Sequence, residues 1–180
     1  MWMQMQNSEE LLWQGQYLSM VKRGQWEYVK RMNISGIIGI VPLTKEDRIV
    51  LVEQYRPPLA SRVIELPAGL VGDITGQEDE SLEMAVQREL QEETGYVAGR
   101  LQRLCEGPSA PGMCSERLTL FLATDLKKVG EGGGDETESI TVHEVATQEI
   151  AAWLAAKERE GADIDLKVYA GLFFLERNRG

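Results

Sequence analysis

The chain is poor in the residues that carry most recognisable catalytic chemistry. It holds one histidine, His143, among 180 residues. A single imidazole with no partner in view supports no Ser-His-Asp triad, so His143 reads as structural. Its two cysteines, Cys105 and Cys114, form no Cys-x-x-Cys pair and read as reduced, structural thiols. No stretch approaches the roughly 18 apolar residues of a membrane span. The opening MWMQMQNSEE lacks the basic segment and apolar run of a secretory leader, and a cytoplasmic location is expected. Positive charge is scarce as well: 19 Lys and Arg against 29 Asp and Glu leave a net charge of −10, which disfavours any general affinity for nucleic acid or anionic membrane. An anionic substrate would need local basic residues or a metal ion.

What is present suffices for one domain with a substantial core, at 43% hydrophobic content with mixed charge. Residues 11–31 read as two strands around a turn at Lys22-Arg23-Gly24-Gln25. Such a hairpin is marginal alone and must lie on the main domain or on another subunit. Further strands are predicted over 35–41, 48–55, 63–69, 100–105 and 117–126. Two helical stretches, 147–160 and 165–177, follow and carry apolar faces but no visible chemistry.

The informative stretch is residues 65–96, ELPAGLVGDITGQEDESLEMAVQRELQEETGY. Ser81 as N-cap and Gly95 as the residue after the last turn predict a helix over 82–94. Leu82, Ala85 and Val86 share its core-facing side; carried on by one to two turns, that side meets Glu89 and Glu93, with Glu92 on its flank. Carboxylates crowded near an interior cost several kcal/mol without a counter-charge. A hard divalent cation supplies one, and Mg²⁺ suits an all-oxygen cluster with no nearby His or Cys. A solvated acidic face is the alternative, but it would set acids against the helix macrodipole. Arg88 is placed to pin one carboxylate and orient its neighbours.

Arg88-Glu89-Leu90-Gln91-Glu92-Glu93-Thr94-Gly95-Tyr96, with Glu80 seven intervening residues before Arg88, resembles the Nudix box, Gly-x5-Glu-x7-Arg-Glu-U-x-Glu-Glu-x-Gly-U, where U is bulky and apolar. The first glycine departs from the pattern: its strict position is Ile74, with Gly69, Gly72 and Gly76 nearby, as expected of a loop lengthened by insertion. The resemblance implies a Nudix-type α/β/α sandwich with a mixed sheet over 34–180, preceded by a hairpin over 1–33. It further implies Mg²⁺, or Mn²⁺ in its place, held by Glu89, Glu92, Glu93 and the Ala68 carbonyl.

Similarity to the ADP-ribose pyrophosphatase branch of that family extends the expectation. There, an N-terminal hairpin is exchanged across a homodimer and an aromatic stacks on adenine; Trp26 matches that place, with packing of the hairpin as its plain alternative. Gln54-Tyr55-Arg56 resembles a segment whose arginine meets the diphosphate, and Glu65 would contact the terminal ribose or metal-bound water. Pro111, within Ser109-Ala110-Pro111-Gly112, falls where members active on ADP-ribose carry a proline. The glycine-rich acidic segment 130–139 would be a catalytic lid, with Glu138, or in reserve Glu136, orienting or deprotonating the attacking water. The expected reaction is hydrolysis of ADP-ribose, or a similar ADP-sugar, to AMP and a sugar phosphate. Another nucleotide sugar such as GDP-mannose is the alternative. A non-catalytic ADP-ribose sensor fits less well, because all three carboxylates remain.

Overall fold

Alternation along three strands builds the layers. In β4 (Gly36–Pro42), Ile38 and Ile40 point to one side and Val41 to the other; in β9 (Arg117–Lys128), Phe121 and Ala123 oppose Leu120 and Leu122; in β5 (Arg48–Arg56), Val50 opposes Ile49 and Leu51. The first set meets Ala85, Val86 and Leu90 of α1 (Leu82–Thr94), and the second meets α2 (Ile150–Arg159) and α3 (Leu166–Arg177). Sheet is therefore buried on both faces between helices, an α/β/α sandwich of mixed strand direction. The computed structural model describes residues 8–76, 78–134 and 139–178.

Two four-stranded sheets share the middle layer. One runs β7 (Ala68–Val71), β4, β9, β8 (Tyr96–Pro108), with β4 and β9 parallel; the other runs β10 (Thr141–Ala146), β5, β6 (Ser61–Glu65), β11 (Asp163–Ile164), with β6 and β11 parallel. The single strand expected over 63–69 is in fact two, and they belong to different sheets. Pro67 has no N–H to extend β6, so the chain leaves one sheet at Glu65 and re-pairs with β4 from Ala68 onward.

The N-terminal extension also differs from expectation. It is a three-stranded antiparallel sheet, with β1 (Glu9–Gln14) added to the hairpin of β2 (Leu18–Arg23) and β3 (Trp26–Arg31). The predicted turn at Gly24 is there, with Gly24 at positive φ. β3 docks on the loop before β9 through Val29 N to Met113 O (2.9 Å) and Ser115 N to Val29 O (3.2 Å). Among the described residues no helix is long and apolar enough to cross a membrane.

Candidate active site

Helix α1 starts and stops where its local chemistry dictates. The Ser81 hydroxyl accepts from Met84 N at 3.2 Å, and Gly95 closes the helix at φ 73° with its N–H on Gln91 O. This register turns Glu93 inward, 3% exposed, beside Leu90 and Thr94. A Glu93 carboxylate oxygen accepts the Ala68 N–H at 3.1 Å, which ties the helix to the first residue of β7.

Arg88 organises the acids. Its guanidinium forks onto Glu80 at 3.0 and 3.1 Å, donates to Leu70 O at 3.0 Å, and reaches Glu89 at 2.7 Å, Glu92 at 3.4 Å and Asp73 at 3.5 Å. The hydrogen bonds it donates to Glu80 raise the Arg88 pKa further, and the same bonds hold Glu80 below the usual carboxylate range. Glu89 goes the other way. Burial pushes its pKa up to about 7, with Arg88 opposing and the Glu92 and Asp73 charges adding to the rise. One guanidinium thus serves four carboxylates, and the balance is negative.

That balance bears on the expected metal. Among the described residues no three or more His, Cys, Asp or Glu side chains are gathered closely enough to hold a metal ion as they stand. Glu89, Glu92, Glu93 and Ala68 nevertheless line one cleft of about 1160 Å³. Their donors are all oxygen, and Glu89 is desolvated beyond what Arg88 offsets. A hard divalent cation fits such a set.

Gly69 is what allows the approach. A Cβ built there would stand 2.0 Å from the Glu89 carboxyl carbon, so strand β7 lies directly against that side chain. Of the glycines near the expected box position, Gly69 is thus the one whose Cβ would meet Glu89, while the Gly72 N–H donates to Glu80 at 3.4 Å; the lengthened loop joins β7 to α1.

Arg56 and Glu65 line the same cleft, and they are bonded to each other in a bidentate pair at 2.6 and 2.8 Å. Glu65 is 4% exposed and Arg56 about half-buried, so the acid anchors the guanidinium at the mouth of the strand. The far end of the cleft holds a second pair that sequence reading passed over: Arg31 Nε donates to Glu116 at 3.0 Å. Arg31 ends β3 as Arg56 ends β5, and that shared strand-end position was the available signal.

Trp26 and Pro111 are brought together, but elsewhere. With Tyr28 and Arg23 they line a separate hollow of about 300 Å³, and Trp26 is 69% exposed. Within one chain neither reaches the carboxylate cleft. Glu138 and Glu136 lie outside the described residues. His143 does have a partner, 90 residues away in sequence: its Nε2 is 2.8 Å from a carboxylate oxygen of Glu53. Glu53 is buried, which would raise its pKa, but hydrogen bonds from Arg62 and His143 and the nearby Lys157 charge bring it down to about 2.

Comparison with known proteins follows the same lines. The family model described as the NUDIX domain matches residues 35–164. "Methanol dehydrogenase activator" of Bacillus methanolicus is 33% identical over 123 residues, covering 68% of this chain and 64% of that protein. "ADP-ribose pyrophosphatase" of Bacillus subtilis (strain 168) is 32% identical over 124 residues, again 68% of this chain and 64% of that protein. The chain thus spans under two thirds of the length of these curated relatives. A solved structure, "Crystal structure of ADP compounds hydrolase", superimposes with a TM-score of 0.74 over 95% of this chain and 91% of that one, at 20% identity, which speaks to the fold.

Proposed function

The chain belongs to the Nudix family, and from that premise we propose that it hydrolyses the diphosphate bond of ADP-ribose, or a similar ADP-sugar, to AMP and a sugar phosphate. One observation carries the reading. Glu89, Glu92 and Glu93 open onto the same cleft as the Arg56–Glu65 pair, so a negative cluster short of counter-charge faces a braced guanidinium. A diphosphate held between a cation and an arginine satisfies both sides.

Glu89, Glu92, Glu93 and the Ala68 carbonyl would hold the divalent ion, Mg²⁺ with Mn²⁺ as its substitute, and when bound it supplies the Lewis-acid charge that draws electron density from the diphosphate. Arg88 fixes the carboxylates by binding Glu80 and Glu89 at once, so they do not splay under mutual repulsion. Arg56 forks onto the phosphate, and Glu65 keeps its plane from rotating away. Glu138 receives a proton from the attacking water, in the role the family resemblance assigns to it. No covalent intermediate on the enzyme is required.

A homodimer belongs to the same proposal. The N-terminal sheet leaves Leu11, Trp13, Tyr17 and Trp26 exposed, an apolar surface that a second copy would cover. Such a copy would also bring its Trp26 to a neighbour's cleft for adenine to stack on.

The test is a panel of nucleoside diphosphate sugars incubated with Mg²⁺, with products separated by chromatography. ADP-ribose giving AMP and ribose 5-phosphate, at the highest kcat/KM of the panel, supports the reading. Preference for GDP-mannose would move the substrate to another nucleotide sugar, and no cleavage of any member would defeat it.

A further inference from the structure

The last turn of α1 contains no Lys, Arg or His, although Glu92 and Glu93 lie in it and Glu89 lies one turn back. Helix C-termini carry partial negative charge on their unpaired carbonyls, so acids there are disfavoured twice, by the macrodipole and by one another. Local capping answers only part of this: Gly95 N covers Gln91 O at 2.9 Å, and the Thr94 hydroxyl donates to Leu90 O.

Two more carbonyls are covered from about forty residues downstream in the sequence. Gly133 N donates to Glu93 O at 2.9 Å, and Gly134 N donates to Glu92 O at 3.1 Å. Gly132, Gly133 and Gly134 have φ of 72°, 112° and 83°, a run that L side chains rarely adopt. A Cβ on Gly132 would fall 2.5 Å from Thr94 C and 2.6 Å from Glu93 O. The segment therefore lies flat on the helix end, and Ile140 N on Gly133 O (3.1 Å) ties it to the approach of β10.

We propose that Gly132, Gly133 and Gly134 are positioning residues: Gly132 lets the segment lie against the helix end, and the Gly133 and Gly134 N–H groups cap its C-terminal carbonyls from outside and hold Glu92 and Glu93 in place for the divalent cation. The cap deepens the hydrolase reading above and rests on its metal ligands. It explains why three consecutive glycines occur here. Each side chain there would either clash with the helix or force the backbone out of the conformation that aims its N–H at a carbonyl.

The test compares Gly132→Ala with Val129→Ala, which trims an exposed side chain just ahead of the segment and leaves the backbone free to bond as before. Mn²⁺ binding to the substrate-free protein is followed by electron paramagnetic resonance. Gly132→Ala should weaken Mn²⁺ on the order of tenfold or more and lower kcat similarly, the scale of losing an outer-shell partner. KM for ADP-ribose at saturating Mn²⁺ and all parameters of Val129→Ala should stay near wild type. Hydrogen exchange in the wild-type protein guards against a variant that fails to fold: the Gly133 and Gly134 amides should exchange at least tenfold more slowly than unprotected glycine amides. Wild-type Mn²⁺ affinity in a folded Gly132→Ala, or unprotected exchange at both amides, overturns the proposal. If the wild type binds Mn²⁺, and Gly132→Ala weakens it, but no nucleotide sugar is cleaved, the substrate reading falls and the cap stands.

Discussion

Gly69→Ala adds one methyl group at the tightest point of the cleft. The φ of Gly69 is one that alanine adopts, so the backbone tolerates the change; the difficulty lies in space alone, with the new Cβ 2.0 Å from the Glu89 carboxyl carbon and one of its oxygens, and 2.3 Å from Cγ. Ordinary carbon contacts begin near 3.5 Å, so Glu89 must move by roughly 1.5 Å. It leaves its 2.7 Å hydrogen bond to Arg88 in doing so. Loss of a charge-assisted bond costs about 1.5–3 kcal/mol, offset by about 0.4–1 kcal/mol from the stiffer unfolded chain. Net destabilisation of about 1–2 kcal/mol is expected. Turnover should suffer more, since a 1 Å misplacement of a reacting group costs on the order of 10²-fold in rate. A double-mutant cycle with Glu89→Ala makes the test specific. Urea unfolding of the four proteins should show Gly69→Ala destabilising the wild type yet nearly neutral beside Glu89→Ala, with a coupling of about 1 kcal/mol or more. Equal cost in both backgrounds, or an alanine variant with wild-type kcat, would refute the contact as the reason for the glycine.

Glu92→Gln and Glu93→Gln should each lower kcat by on the order of 10² or more with modest change in melting temperature; wild-type turnover in both would remove them from the site. Glu53, held near pKa 2 in the folded protein against an ordinary 4.5, contributes stability that is complete above pH 4.5 and lost as pH falls from there toward 2. That difference is worth about 3 kcal/mol at most. The stability gap between wild type and Glu53→Gln, read by chemical unfolding, should be flat from pH 5 to 7 and narrow below it; a gap of the same size at pH 3 would contradict the ion pairs. Trp26→Ala should raise KM for ADP-ribose more than it lowers kcat in steady-state assays, and an unchanged KM would return Trp26 to packing.

Features written in neighbouring residues were legible in the chain. The span of α1 matches its expectation because Ser81 and Gly95 act within one turn of their own positions. The inward turn of Glu93 follows from helical register alone. Features that depend on distant partners were not. Residues 11–14 read as the start of the first hairpin strand, but all six side chains of β1 are exposed, so nothing in EELLWQ marks it as a strand of its own; pairing with β2 makes it one. Pro67 announced the end of a ladder but not the passage into a second sheet, which β4 decides. Three glycines competed for the first box position until the Glu89 side chain distinguished Gly69. His143 appeared partnerless because Glu53 reaches it across the β5–β10 pairing.

Anomalous diffraction from crystals soaked with Mn²⁺ and ADP-ribose addresses the metal cluster itself. The account predicts an anomalous peak within bonding distance of the Glu89, Glu92 and Glu93 carboxylates and of a diphosphate oxygen, with the other phosphate on Arg56. A peak elsewhere, or nucleotide bound with those three carboxylates turned away from it, would contradict the account.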